Sequence, residues 1–168
     1  MQALLALLLS LAGAAAPPAA TPETPAQTLF AKLRSLEGEW NGASTRGWTD
    51  RVTFRTIAEG SVVVSTSFEA HPGETMMTMY HMDGSRLLLT HYCVAKNQPR
   101  LLATSISEDG RRADFTFLDA TGIPTRDAGH MDRAVFEFQD DDHFSSKWTW
   151  YQNGEERWME EIKYTRAR

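Results

Sequence analysis

A single cysteine, Cys93, stands among 168 residues, so no disulfide can form within the chain. Small exported domains that cannot build a core lean on several bridges; this one must rest on packing. No apolar run reaches the roughly 20 residues that a membrane-spanning helix needs, which argues against a membrane span. Lys and Arg number 17 against 22 Asp and Glu, and the net charge of −5 argues against nucleic acid as a partner. Also absent are a Gly-rich phosphate loop, a G-x-S-x-G elbow and an H-E-x-x-H pair. Spacings such as H-x-x-x-H or C-x-x-C are missing too, so His91, His130, His143 and Cys93 are not expected to hold a metal. The expectation is a chain without cofactor.

What is present begins with an export signature. Ala3 to Ala16 carries no charge, and Ala14-Ala15-Ala16 offers a small-residue cleavage site before Pro17-Pro18. Met1-Gln2 brings no basic residue to the start. Residues 1–16 are therefore expected to be a signal peptide, and the mature protein secreted or periplasmic. Residues 17–27, rich in Pro, Ala and Thr, have too little apolar material to fold and are expected to be a disordered linker. Residues 28–168 suit one domain with its own core.

Leu29, Phe30, Leu33 and Leu36 recur at helical spacing, which predicts a short amphipathic helix over Thr28–Leu36. Ten short apolar-alternating segments follow. They are Glu39–Arg46, Arg51–Ala58, Ser61–Glu69, Glu74–Met82 and Arg86–Ala95, then Arg100–Ser107, Arg112–Asp119, Arg133–Gln139, His143–Gln152 and Glu156–Thr165. Glu59-Gly60, Asp83-Gly84, Asp109-Gly110 and Asn153-Gly154 favour positive φ in tight hairpins, which join antiparallel neighbours. No stretch after Leu36 resembles the crossover helix that parallel pairing needs. Only Ala120–Met131 is long enough for a mouth loop. The fold class is all-β: an up-and-down antiparallel barrel of about ten strands with a short N-terminal helix plugging one end. Closure removes the sheet edges and leaves an interior that can hold a small ligand.

Gly38-Glu39-Trp40 at the helix-to-strand junction resembles the Gly-x-Trp of the calycin group, which includes lipocalins, fatty-acid-binding proteins and nitrobindins. That resemblance implies Trp40 packed at the closed end. Several further motifs together resemble an uncharacterised family of exported bacterial lipocalin-like proteins. They are Met79-Tyr80-His81-x-Asp83-Gly84, Thr90-His91-Tyr92-Cys93, Asn97-Gln98-Pro99-Arg100, Gly129-His130-Met131 and Trp148-Thr149-Trp150. It implies the fold and no reaction. Phe136 to Trp150 lacks a nitrobindin-like haem-ligand motif, so haem is not expected.

Polar chemistry concentrates around one hairpin. With Asp83-Gly84 as a two-residue turn, Tyr80 would pair with Leu87 and Thr78 with Leu89. Alternation then places Met76, Thr78, Tyr80, Leu87, Leu89, His91 and Cys93 on one face, taken as the interior. Arg100, entering the next strand beside Asn97 and Gln98, is expected to point into the barrel mouth as a fork of donors for an acidic group. Trp148 shares a face with Phe144 and Trp150 and would supply a flat wall. His130 would gate the long loop. Glu160-Glu161 reads as ordinary exposed strand charge. The expected partner is a small apolar or amphipathic ligand held by Tyr80, His91, Asn97, Gln98, Arg100, His130 and Trp148. Two alternatives stand beside it: a hydrolase or isomerase using His91 with Cys93 or His130, and a solid barrel acting through its surface.

Overall fold

A computed structural model describes residues 23–71 and 74–168. The signal-like segment 1–16 lies outside the described residues, as does the linker up to residue 22.

The helix α1 spans Pro25–Ser35, three residues earlier than the apolar spacing predicts, so the linker ends sooner. The reason is a capping box. Thr24 accepts from the Gln27 backbone N–H, the Gln27 side chain accepts from the Thr24 backbone N–H at 2.8 Å, and Pro25 supplies a preset φ at the first helical position. Helical spacing carries Leu29, Phe30 and Leu33 to one face, all buried.

Ten strands follow: β1 (Gly38–Ser44), β2 (Thr49–Ile57), β3 (Val62–His71), β4 (Glu74–Asp83) and β5 (Arg86–Tyr92), then β6 (Gln98–Ile106), β7 (Arg112–Thr121), β8 (His130–Phe138), β9 (His143–Gln152) and β10 (Glu155–Arg166). Each pairs antiparallel with its sequence neighbour, and β1 closes on β10 through Trp40 opposite Arg166 and Gly42 opposite Tyr164. The result is a closed ten-strand up-and-down barrel with a short helix. Gly42 is required at this seam, because a Cβ there would lie 2.7 Å from the Tyr164 ring and 2.9 Å from Ile162.

The turns explain why a meander forms. Asn153 and Gly154, at φ 53° and 81°, join Gln152 to Glu155 as the Asn-Gly signal predicts. The β4–β5 turn is Gly84-Ser85, one residue later than expected, with Asp83 opposite Arg86. Tyr80 therefore pairs with Leu89 and Thr78 with His91. The slip amounts to two residues in pairing, so each side chain keeps its expected face.

The core occupies the helix end. Leu29 and Leu33 meet the inward-facing Trp40, Leu87, Leu101 and Phe115, all fully buried. Trp40 donates its indole N–H to the Leu36 carbonyl at 2.7 Å and meets Phe144 edge-on at 4.9 Å, which places it at the closed end. At the opposite end the β1–β2, β5–β6, β7–β8 and β9–β10 turns surround a mouth.

Candidate functional site

Below the mouth the barrel holds a cavity of about 370 Å³. Its apolar wall includes Trp48, Val52, Phe54, Phe136, Phe144 and Trp148. Alternation explains the membership: Asp50, Val52 and Phe54 on β2, and Phe144, Ser146 and Trp148 on β9, point inward together.

Two polar groups interrupt this wall. In the first, Asp50 is buried and accepts from the Ser67 hydroxyl at 2.8 Å, the Arg51 backbone N–H at 2.8 Å and the Tyr164 hydroxyl at 2.9 Å. Burial, then the Asp50 charge, pushes the Tyr164 hydroxyl well above the ordinary phenol range, so it stays protonated and donates. In the second, His91 Nδ1 lies 2.9 Å from the Thr78 hydroxyl, and the ring tilts against Trp148 at 5.1 Å. Tyr80 stands beside Thr78 and Ser65, its hydroxyl also raised by burial. Burial holds His91 down to about 4, so the imidazole is neutral near pH 7. Its Nε2 is buried with no hydrogen-bond partner.

Of the residues expected to hold a ligand, Tyr80, His91 and Trp148 line this cavity, and four do not. Arg100 follows the rule of alternation against the expectation. Leu101 faces the core, so Arg100 faces out, where it pairs with Asp119 in an exposed bridge with its Nε donating at 2.6 Å. That partner raises the Arg100 guanidinium and lowers the Asp119 carboxyl. Asn97 donates from Nδ2 to the Gly129 carbonyl at 2.8 Å, and Gln98 accepts from the Thr121 hydroxyl at 2.7 Å. Both latch the β5–β6 turn to the neighbouring loop. Arg100→Met should consequently shift stability by no more than about 1 kcal/mol, the range of an exposed ion pair, and leave binding in the cavity unchanged. Chemical denaturation together with a probe titration checks both.

His130 is fully buried but outside the cavity. Its Nε2 faces Arg126, which has only donors, so Nδ1–H donates to the Ala128 carbonyl at 2.6 Å. The Arg126 guanidinium stacks 4.3 Å from the Phe117 ring and 3.8 Å from the Tyr151 ring, and also bridges to Asp132. These contacts fasten the loop rather than free a gating histidine. The loop is also shorter than expected, because Ala120 and Thr121 pair with β6 while His130 and Met131 pair with β9.

Cys93 departs from expectation as well. Strand β5 ends at Tyr92, and Cys93 opens a turn in which its carbonyl accepts from Lys96 N–H at 3.0 Å. Burial pushes its thiol up, away from thiolate. With Nδ1 engaged by Thr78 and Nε2 unpartnered, His91 makes no hydrogen bond to that thiol. The activated pair of a nucleophilic site is not formed. Among the described residues no three His, Cys, Asp or Glu side chains converge as metal ligands would.

Sequence reasoning missed the acidic members of the wall. Asp50 was legible as the first term of the Asp50-Val52-Phe54 alternation, one residue ahead of the expected strand start. Glu160 was legible by the same rule, two and four residues before the inward-facing Ile162 and Tyr164 on β10, and its side chain at the cavity is only 12% exposed. At 4.0 Å it faces Arg46, whose side chain is 59% exposed at the rim.

No family model and no curated protein matches this chain. Its fold is similar to a solved structure of a protein of unknown function from the DUF3598 family of Nostoc punctiforme. The TM-score is 0.53 at 12% sequence identity, over 80% of this chain and 49% of that one. The chain thus spans about half the length of that structure, and the likeness is one of fold alone.

Proposed function

We propose that this protein binds a small, largely apolar molecule inside its barrel, after export from the cell, as a calycin-like carrier or sensor. One observation carries the reading: His91 Nε2, buried and unpartnered, sits in the wall of an otherwise mainly apolar cavity. Leaving a buried polar atom unpaired costs about 1–3 kcal/mol, which a ligand atom bonded there offsets. The cavity's 370 Å³ lies within the roughly 300–1,000 Å³ typical of small-molecule sites. The free thiol, the fastened loop and the exposed Arg100 have no part in it.

A neutral fluorescent probe, N-phenyl-1-naphthylamine, should bind saturably with one site per chain and a rise in emission. Met159→Trp, placed at the partly exposed cavity lining, should reduce that binding while the far-ultraviolet spectrum stays that of a folded barrel. Probe binding unchanged by Met159→Trp, or no saturable binding, would contradict the reading. Export predicts a mature chain beginning near Pro17. N-terminal sequencing of the protein from its natural source checks this, and an intact Met1 would count against it.

A further inference from the structure

The polar groups that line the cavity divide into those already engaged and one still open. Among the described residues, three charged side chains line it: Arg46, Asp50 and Glu160. Asp50 accepts from the Ser67 hydroxyl, the Arg51 backbone N–H and the Tyr164 hydroxyl, and Glu160 lies 4.0 Å from Arg46. Neither carboxylate is free. A cation would enter a wall whose acids are already bonded, and an anion would meet those acids with only the rim guanidinium in its favour. Either ion would also give up its hydration to an apolar interior, which is costly unless an unengaged partner stands there.

His91 is the open position. It is 6% exposed, burial keeps its imidazole neutral, and its Nε2 has no hydrogen-bond partner. Nδ1 lies 2.9 Å from the Thr78 hydroxyl, and the direction of that bond fixes what Nε2 presents to the cavity. If Thr78 donates, Nε2 carries the ring proton and donates to a ligand; if Nδ1 donates, Nε2 is bare and accepts. A hydroxyl group completes either arrangement, as acceptor in the first and donor in the second, whereas a carbonyl completes only the first. Beside this position the wall is ring surface. The His91 ring tilts against Trp148 at 5.1 Å, and Trp148 meets Phe136 edge-on at 6.1 Å. Such a wall takes an apolar body against its rings.

We infer that the ligand is an uncharged alcohol: an apolar body held against Trp148 and Phe136, with its hydroxyl bonded to His91 Nε2. This inference rests on the cavity-binding reading above and names its ligand class. It sets aside ammonium compounds and carboxylates, fatty acids included, as the preferred occupants.

The test is displacement of N-phenyl-1-naphthylamine at pH 7 by four naphthalenes with one body and different ends: 2-naphthalenemethanol, its near-isostere 2-ethylnaphthalene, 2-naphthylmethylamine and 2-naphthoate. The alcohol should displace the probe at least about tenfold better than the ammonium or the acid. The ethyl compound controls for the apolar body. His91→Phe should weaken the alcohol relative to the ethyl compound by about three- to tenfold, the range of one net hydrogen bond. A second measurement needs no variant. In long-range proton–nitrogen spectra of the wild type, the His91 Nε2 resonance should move several times further with the alcohol than with the ethyl compound. An ammonium or acid that displaces the probe as well as the alcohol overturns the assignment and leaves the cavity reading intact. So does an alcohol-to-ethyl ratio that His91→Phe leaves unchanged or, should that variant not fold, an Nε2 resonance that moves equally with both. A probe that never enters the wild-type barrel removes both inferences.

Discussion

Replacing Trp40 by alanine is expected to remove about 3–5 kcal/mol of stability, the range for losing a large buried aromatic. The side chain is fully buried and bound on three sides. Its indole N–H donates to Leu36 O, Phe144 meets its edge, and the Arg166 guanidinium lies 4.3 Å over its face. Arg166 in turn donates to the carbonyls of Ser35, Glu37 and Asp141, so one residue joins α1, the barrel seam and the β8–β9 turn. Truncation leaves a cavity, an unpaired Leu36 carbonyl and an unsupported guanidinium together. Urea denaturation should show a lower midpoint at unchanged slope. Trp40 does not line the mouth-end cavity, so protein still folded at low denaturant should bind the probe as before.

Stability should also fall as the pH drops from 6.5 towards 4, by about 3 kcal/mol from His91 alone. The sign follows from the direction of the shift. Burial lowers His91 in the fold from 6.5 to about 4. Above pH 6.5 the imidazole is neutral in both states and contributes no slope. Between the two values the unfolded chain takes up a proton that the fold refuses, and the balance moves towards unfolding. Below about 4 both states are protonated and the dependence ends. Asp109, Asp119 and Asp140 are held below their ordinary value of 3.8, so their contribution is lost only at lower pH, outside this window. Denaturation midpoints at pH 7, 5.5 and 4.5 should therefore decline for the wild type. His91→Phe, which keeps a ring against Trp148, should flatten that decline. A wild-type profile level from pH 6.5 to 4.5 would contradict the burial of a neutral imidazole.

The order, number and direction of the ten strands were legible because they rest on local signals. Alternation fixes a strand, an Asn-Gly or Asp-Gly pair fixes its reversal, and successive reversals leave antiparallel closure as the economical arrangement. The inward face of β4 and β5 was legible for the same reason, and it survived a shifted turn because the shift was even. Less legible were positions decided across strands. Arg100 looked like a mouth residue from its Pro-fixed neighbourhood, yet Leu101 beside it belongs to the core and sends Arg100 outward. The Cys93–His91 pair assumed a strand running to Ala95, whereas the turn held by Lys96 N–H ends β5 at Tyr92. Glu160 shares the inward face of Ile162 and Tyr164, but its charge, beside Glu161, reads locally as exposed surface. Asp50 and Tyr164, 114 residues apart, meet only because the last strand closes on the first and Gly42 leaves room for the ring.

Under the proposed function, the mouth end of the barrel interior takes up a small molecule while the helix end stays packed. Proton–nitrogen correlation spectra of the five tryptophan indoles test it most directly, as unlabelled N-phenyl-1-naphthylamine is added to nitrogen-15 protein. The indoles of Trp48 and Trp148 should move in step with probe occupancy, and that of Trp40 should remain where it is. Stationary Trp48 and Trp148 resonances under saturating probe, or a moving Trp40 with the other two still, would contradict the account.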